Sequence, residues 1–272
     1  MTNKQKDLAE AKKKAQASWQ ASDYAMFATC LEPGLADFMT RLTIVPGQKV
    51  LDIACGSGNF ALLAAQREAI VTGIDFNPDA LDAARGRATD ANVNIQFDEG
   101  DIEQMPYEAD TFDSAISVFG IMFAIDSQAA AREVSRVLKP GGTFAIASWT
   151  EDSLVGELAR VLARYRPDSP GSARTSGWGD VGTVPEYFNG LTNRLQMSKR
   201  MWRFDFPYGP EGVVDFFCKY TSTHKLIFER LGSSDTDVLR YELEQVWLRH
   251  NQANGSRTVA DAEYLEVVGV IK

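Results

Sequence analysis

The chain has 272 residues, of which 44% are hydrophobic and 24% are charged, and its formal net charge is −9 at pH 7. This composition is typical of a soluble globular protein with one large α/β domain, or with one domain and a modest lid. No apolar run reaches the ~18 residues that a membrane-spanning helix needs, and the negative charge argues against a nucleic acid as partner.

The N-terminal part of the chain is predicted to be helical. Residues 4–18 have the pattern of a polar helix, and residues 31–42 have apolar side chains at helical spacing. The first of these helices carries the only basic run of the chain, Lys12-Lys13-Lys14. We expect this run to be a solvated helix face, and a contact role is the alternative.

Between residues 49 and 149, short runs rich in Val, Ile and Phe alternate with helical stretches. This alternation predicts βαβ units and therefore a mainly parallel sheet. Asn77 can cap a helix that begins at Pro78, and Ser127 can cap the next helix. The turn Pro-Gly-Gly at 140–142 stops that helix and leads into a strand. The five predicted strands are 49–55, 69–75, 93–100, 112–119 and 143–149.

After residue 150 the pattern changes, without a break that would separate an independent domain. Helical and strand-like stretches follow a loop rich in Pro, Gly and Ser. The predicted elements are a helix at 153–165, the loop at 167–181, a short helix at 184–189, a strand at 197–206, helical stretches at 210–231 and 235–252, and a strand at 262–271.

The strongest chemical signal is a glycine turn between the first predicted strand and a helix. The strand runs directly into Gly56-Ser57-Gly58. Glycines let the backbone turn tightly and let a ligand approach it closely. The following helix directs free N–H groups at that ligand, so the turn predicts an anion site that suits a phosphate or a carboxylate.

Asp75 ends the next predicted strand, 19 residues after Gly56. An acid about 20 residues past such glycines accepts hydrogen bonds from ribose hydroxyls, so the pair predicts a nucleoside ligand. A helix-capping role is the alternative for Asp75. With Ala61 the run also satisfies the looser pattern GxGxxA, which leaves a nicotinamide-dependent oxidoreductase open.

Four motifs follow one another in order over the first 150 residues. They are Asp52 four residues before Gly56; Thr72-Gly73-Ile74-Asp75; Gly100-Asp101-Ile102 with Met105-Pro106 and Phe112-Asp113; and Arg136-Val137-Leu138-Lys139-Pro140-Gly141-Gly142. Together they resemble the class I S-adenosylmethionine-dependent methyltransferases, in the small-molecule group related to quinone-biosynthesis enzymes. The resemblance covers residues 19–150 and, loosely, the last strand. Ala54 stands where the family usually has glycine, and its small side chain should preserve the backbone contact.

The resemblance implies a role for each matching residue. The 54–58 turn would hold the methionine part of S-adenosylmethionine, and Asp52 would reach its amino group. Asp75 would hold the ribose, and Asp101 would face the adenine amine. Apolar neighbours would form the adenine slot, and the end of the fourth strand would lie beneath the sulfonium. The implied cofactor-binding residues are Asp52, Ala54, Gly56, Ser57, Gly58, Asp75, Phe76, Asp101, Ile102, Ser117, Val118 and Phe119.

The resemblance also implies the fold. We expect a Rossmann-like three-layer α/β/α sandwich with a mainly parallel seven-stranded sheet, its last strand antiparallel, plus a helical cap. Residues 1–45 would form part of the cap, 46–150 the cofactor-binding core, 151–255 the cap and substrate-binding insertion, and 256–272 the final strand of the sheet.

The predicted function is methyl transfer from S-adenosylmethionine to a small, largely apolar or aromatic metabolite. In-line transfer depends on orientation and on exclusion of water, so no residue must act as a base. Tyr24 and His224 are weak candidates for that role. Tyr24, Met122 and Trp149 are predicted to enclose the acceptor. The alternatives are a catalytically repurposed S-adenosylmethionine-binding protein or, less favoured, a nicotinamide-dependent oxidoreductase.

The cysteines and the N-terminus indicate a cellular setting. Cys30, Cys55 and Cys218 are widely spaced and odd in number, a pattern that favours neither a disulfide framework nor a metal site. The first residues have no apolar segment of the kind found in secretory signals. We therefore expect a cytoplasmic enzyme that binds a small molecule, with no metal and no membrane insertion.

Overall fold

The computed structural model describes residues 3–20, 23–165 and 177–272. Within these residues the strands are β1 Lys49–Ile53, β2 Ile70–Asp75, β3 Ile95–Glu99, β4 Phe112–Val118, β5 Leu138–Trp149, β6 Thr192–Phe206 and β7 Thr258–Ile271. They form one seven-stranded sheet in the order β3-β2-β1-β4-β5-β7-β6.

The directions of the strands confirm the predicted fold. The strands from β3 to β5 run parallel to one another, whereas β7 pairs antiparallel with both β5 and β6. This is a Rossmann-like arrangement with the last strand antiparallel. Because parallel strands end at the same edge of a sheet, the segments that follow β1, β2 and β4 lie together at the carboxyl edge.

Two helices of the core, those that follow β2 and β4, begin where a side chain binds their free N–H groups. Asn77 Oδ1 accepts a hydrogen bond from Asp79 N at 3.1 Å, which confirms Asn77 as a cap. The prediction of Ser127 as a cap was wrong by one residue, because the Asp126 carboxylate accepts from Ala129 N at 2.9 Å. The described helices are α1 Asn3–Gln20, α2 Tyr24–Ala28, α3 Glu32–Thr40, α4 Asn59–Ala65, α5 Pro78–Asp90, α6 Ser127–Val137, α7 Leu154–Ala163, α8 Val184–Tyr187, α9 Pro210–Tyr220, α10 Ser222–Phe228 and α11 Ser233–His250.

Two sequence predictions after residue 150 were wrong in their boundaries. Residues 210–231 form two helices, because Thr221 is extended and its hydroxyl bonds to Phe217 O and to the His224 ring instead. Strands β6 and β7 each begin several residues earlier than predicted and pair along almost their whole length. The missed stretches contain Asn193 and Asp261, residue types that are depleted in strands.

Aromatic packing joins α9 and α11, which belong to the segment predicted as a cap and are called the cap below, to the end of β6. The Trp247 ring of α11 lies 5.7 Å from that of Phe206 in β6 and 5.5 Å from that of Phe217 in α9. The loop predicted at 167–181 lies mostly outside the described residues. The division of the chain into four segments remains a prediction. In the part of the chain that is described, no helix is both long and apolar enough to cross a membrane.

Candidate active site

The turn between β1 and α4 contains three residues in the left-handed backbone region. Gly56 and Gly58 have φ angles of +51° and +80°, and Ala54 has +54°. Glycine adopts this region freely, whereas an L-residue is strained there by about 1–2 kcal/mol. The alanine is thus small enough for the turn, but it carries backbone strain that a glycine would not.

Two buried carboxylates hold this turn through backbone hydrogen bonds. Asp52 Oδ2 accepts from Ala61 N at 3.0 Å, at the start of α4. Asp75 accepts from Gly56 N at 2.8 Å and from Asn77 N at 2.9 Å. Burial raises the pKa of both carboxyl groups, and the backbone donors act against that rise. Asp75 therefore braces the glycine turn from the neighbouring strand.

A cavity of about 640 Å³ opens beside this turn at the carboxyl edge of the sheet. Its volume lies within the ~300–1,000 Å³ typical of small-molecule sites. Many residues predicted for the site meet in its wall, although they come from distant parts of the chain. These lining residues are Tyr24, Ala54, Gly56, Asp75, Phe76, Asp101, Ile102 and Phe119.

Tyr24 lies directly against the glycine turn. A Cβ atom added to Gly56 would clash with the Tyr24 ring. Tyr24 and Ala54 also line a second cavity of about 30 Å³, whose wall includes the predicted residues Asp52, Ser57 and Val118. Burial raises the pKa of the Tyr24 hydroxyl, so this group stays protonated at neutral pH and is a poor base.

The end of β4 is organised by contacts beneath the cavity. Ser117 Oγ donates to Ile53 O at 2.8 Å and accepts from Ile121 N at 2.9 Å, which ties β4 to β1. Phe119 lines the cavity, and its ring stacks on that of Trp149 with 3.6 Å between centroids. Phe119 has a φ of +57°, which is strained for a bulky residue and is typical of functional sites.

Three residues predicted near the acceptor or the turn do not line the cavity. Trp149 is 7% exposed and lies beneath Phe119. Met122 is also buried, and it does not belong to the wall of either cavity. A Cβ atom added to Gly58 would point towards Phe97 and Ala84 rather than into the cavity.

His224 is placed in the interior of the cap. Its Nδ1 lies 2.7 Å from Thr221 Oγ1, and its ring lies 5.2 Å from that of Phe217. Burial lowers the pKa of His224 to about 3. The imidazole is therefore neutral at physiological pH, and it does not line either described cavity.

The first helix supplies lining residues that the sequence patterns do not single out. Gln16 Nε2 donates to Phe76 O at 2.7 Å, and the Trp19 ring lies 4.8 Å from that of Phe123. The expectation of a solvated face was wrong for Lys12, which forms ion pairs across the cavity edge. The unpredicted lining residues include Lys12, Lys13, Gln16, Trp19, Asn77, Glu99, Glu103, Phe123 and Ile125.

Comparison with known proteins places these motifs in a family. Residues 44–186 match the family described as Methyltransferase domain. An uncharacterized protein of Mycobacterium tuberculosis is 38% identical over 92% of this chain and 91% of its own length. A demethylmenaquinone methyltransferase of Deinococcus radiodurans is 37% identical over 51% of this chain and 59% of its own.

Solved structures share the fold at low sequence identity. The YcgJ protein of Bacillus subtilis has a TM-score of 0.60 and 21% identity, covering 88% of this chain and 97% of its own. A phosphoethanolamine N-methyltransferase of Haemonchus contortus, in complex with S-adenosylhomocysteine, has a TM-score of 0.54 and 17% identity, covering 88% of this chain and 52% of its own. At these identities the likeness is one of fold.

Proposed function

The chain belongs to the class I S-adenosylmethionine-dependent methyltransferases, and we propose that it methylates a small, largely apolar or aromatic metabolite. One observation carries this proposal. A single cavity is lined by both carboxylates suited to a nucleoside, Asp75 and Asp101, and by aromatic residues such as Trp19 and Phe123. Cofactor and acceptor would therefore meet in one cavity.

The residues on the nucleoside side fit S-adenosylmethionine. Asp75 would accept hydrogen bonds from the ribose hydroxyls while it holds Gly56 N, since each carboxylate oxygen can accept more than one. Asp101 would accept from the adenine amine, with Phe76 and Ile102 as the walls of the slot. The cofactor supplies a methyl group already activated by its sulfonium.

The acceptor side is apolar at the surface as well as inside. Phe123 and Ile125 line the cavity and are 51% and 44% exposed, so they form an apolar rim. Such exposed apolar groups at a cavity mouth mark binding sites. The Deinococcus relative, by its name, methylates demethylmenaquinone, and a quinone belongs to the acceptor class that we propose for this chain.

We expect orientation and exclusion of water to drive the transfer. The cavity wall contains no histidine among the described residues, and Tyr24 holds its proton because burial raises its pKa. Positioning of two reactants can supply up to ~7–11 kcal/mol of a barrier. The chain would thus act by holding a nucleophilic atom of the acceptor in line with the methyl group.

Calorimetric titration with S-adenosylmethionine, S-adenosylhomocysteine and NAD tests the cofactor assignment. We expect both adenosyl ligands to bind and NAD not to bind. The acceptor is then sought by incubating metabolite extracts with methyl-labelled cofactor and analysing the products by mass. Tight binding of NAD alone would overturn the proposal. Cofactor binding without any transfer would favour a repurposed binding protein.

A further inference from the structure

One ammonium group joins α1 to two acidic side chains at the edge of the cavity. Lys12 Nζ lies 2.6 Å from Asp101 Oδ2 and 2.6 Å from Glu103 Oε2. The Glu103 side chain is only 5% exposed, and a buried carboxylate is costly without a charged partner. Burial by itself would lower the pKa of Lys12, but the two hydrogen-bonded acids outweigh it and raise that pKa.

Glu103 also binds the rim on the acceptor side. Its Oε1 accepts hydrogen bonds from Ile125 N at 2.6 Å and from Asp126 N at 3.0 Å. Ile125 belongs to the apolar rim, and Asp126 caps α6. One buried carboxylate therefore connects α1, through Lys12, to the segment that shapes the acceptor side of the cavity.

Asp101 lies in the same turn as Glu103. Its Oδ1 accepts from Glu103 N at 2.8 Å while its Oδ2 pairs with Lys12. The residue that would meet the adenine amine thus shares its lysine with the residue that holds the rim. Lys12 therefore contacts both the nucleoside side and the acceptor side of the cavity.

We propose that Lys12 is a positioning residue that clamps α1 over the bound cofactor and, through Glu103, steadies the acceptor wall at 121–126. The inference rests on the proposed function, because it takes S-adenosylmethionine as the ligand of this cavity. Release of the demethylated cofactor then requires the Lys12 pairs to break. Binding of the cofactor and ordering of the acceptor wall at 121–126 are therefore coupled.

The same helix offers a matched control. Lys14 is 76% exposed and pairs with Glu10 inside α1 at 3.6 Å. Exposed pairs of this kind contribute little to stability. Removing the charge of Lys14 therefore changes the helix as much as removing that of Lys12, while the clamp stays intact.

The experiment measures dissociation of S-adenosylhomocysteine by stopped-flow tryptophan fluorescence. We expect Lys12→Met to speed dissociation about tenfold, the effect of losing a charge-assisted hydrogen bond to a buried group. Lys12→Arg should restore the rate to within about threefold, since it keeps the charge. Lys14→Met should leave the rate unchanged. Glu103→Gln should speed dissociation as Lys12→Met does.

Amide hydrogen exchange at saturating S-adenosylhomocysteine tests the link to the acceptor wall. The ligand should slow exchange at 121–126 in the wild type and slow it much less in Lys12→Met. Unchanged dissociation together with equal protection in Lys12→Met would overturn the clamp while leaving the cofactor assignment intact. A wild type that binds no S-adenosylhomocysteine would overturn the proposed function, and this inference with it.

Discussion

The glycine turn and the cap are both buried, but opposite kinds of interaction build them. In the turn, Asp52 and Asp75 accept backbone hydrogen bonds of 2.8 to 3.0 Å. In the cap, Phe206, Phe217 and Trp247 pack ring against ring. Hydrogen bonds fix direction closely, whereas aromatic packing mainly fills volume. Changes in the turn should therefore alter cofactor affinity, and changes in the cap should alter stability.

The largest effect is expected from Trp247→Ala in the cap. Trp247 is 1% exposed, and such a truncation typically lowers the free energy of unfolding by ~3–5 kcal/mol. The affinity of the folded variant for S-adenosylhomocysteine should stay near that of the wild type. Urea unfolding and calorimetry measure the two quantities. Leu248→Ala is the control, because Leu248 is 55% exposed. A large loss of cofactor affinity in Trp247→Ala would contradict the expectation that changes in the cap alter stability and leave affinity unchanged.

Gly56→Val should mainly lower the affinity for the cofactor, rather than the stability. Valine at a φ of +51° is strained, and its side chain would collide with Tyr24. We expect affinity for S-adenosylhomocysteine to fall by more than 100-fold, or about 2.7 kcal/mol. Gly86→Ala serves as the control, since a Cβ atom added there meets no atom within 4 Å. Calorimetry would contradict the placement of the cofactor if a folded Gly56→Val bound normally.

Asp75→Ala should affect affinity and stability together. Removing hydrogen bonds to a charged group should weaken cofactor binding by ~1.5–3 kcal/mol. The variant also strips the acceptor from Gly56 N and Asn77 N, so its melting temperature should fall. Asp82→Ala is the control, because the Asp82 side chain is 75% exposed. Lower stability with unchanged affinity would make Asp75 a brace of the turn and nothing more.

The smallest effect concerns His224 and pH. Burial lowers its pKa from 6.5 to about 3. Between these values the unfolded chain binds more protons than the folded one, so stability falls as the pH falls, by at most about 1.4 kcal/mol per pH unit. His224→Gln should reduce the difference in unfolding free energy between pH 7 and pH 5.5. Equal differences in both proteins would show that the cap admits water to this ring.

Local signals made much of the fold predictable. A strand, a glycine turn and a helix follow one another around Gly56, and each has a recognisable residue pattern within a few positions. The predicted helix ends were wrong where a side chain could form more than one local hydrogen bond. Asp126 caps α6 in place of Ser127, and Thr221 breaks a helix by bonding to Phe217 and His224. Such choices depend on geometry that the residue types alone do not specify.

The sequence by itself determined that Gly56, Asp75 and Asp101 line one cavity, because each lies at or just after the carboxyl end of a strand in a parallel sheet. Tertiary structure decided which residues of α1 complete the cavity wall. Lys12 meets Asp101 across 89 residues of chain, and such a contact leaves no local pattern. Tertiary structure also decided that the Phe119 ring stacks on Trp149, across 30 residues of chain, and that Phe119 lines the cavity whereas Trp149 does not. Strand ends can be read from the sequence, but which rings stack on one another depends on packing between segments.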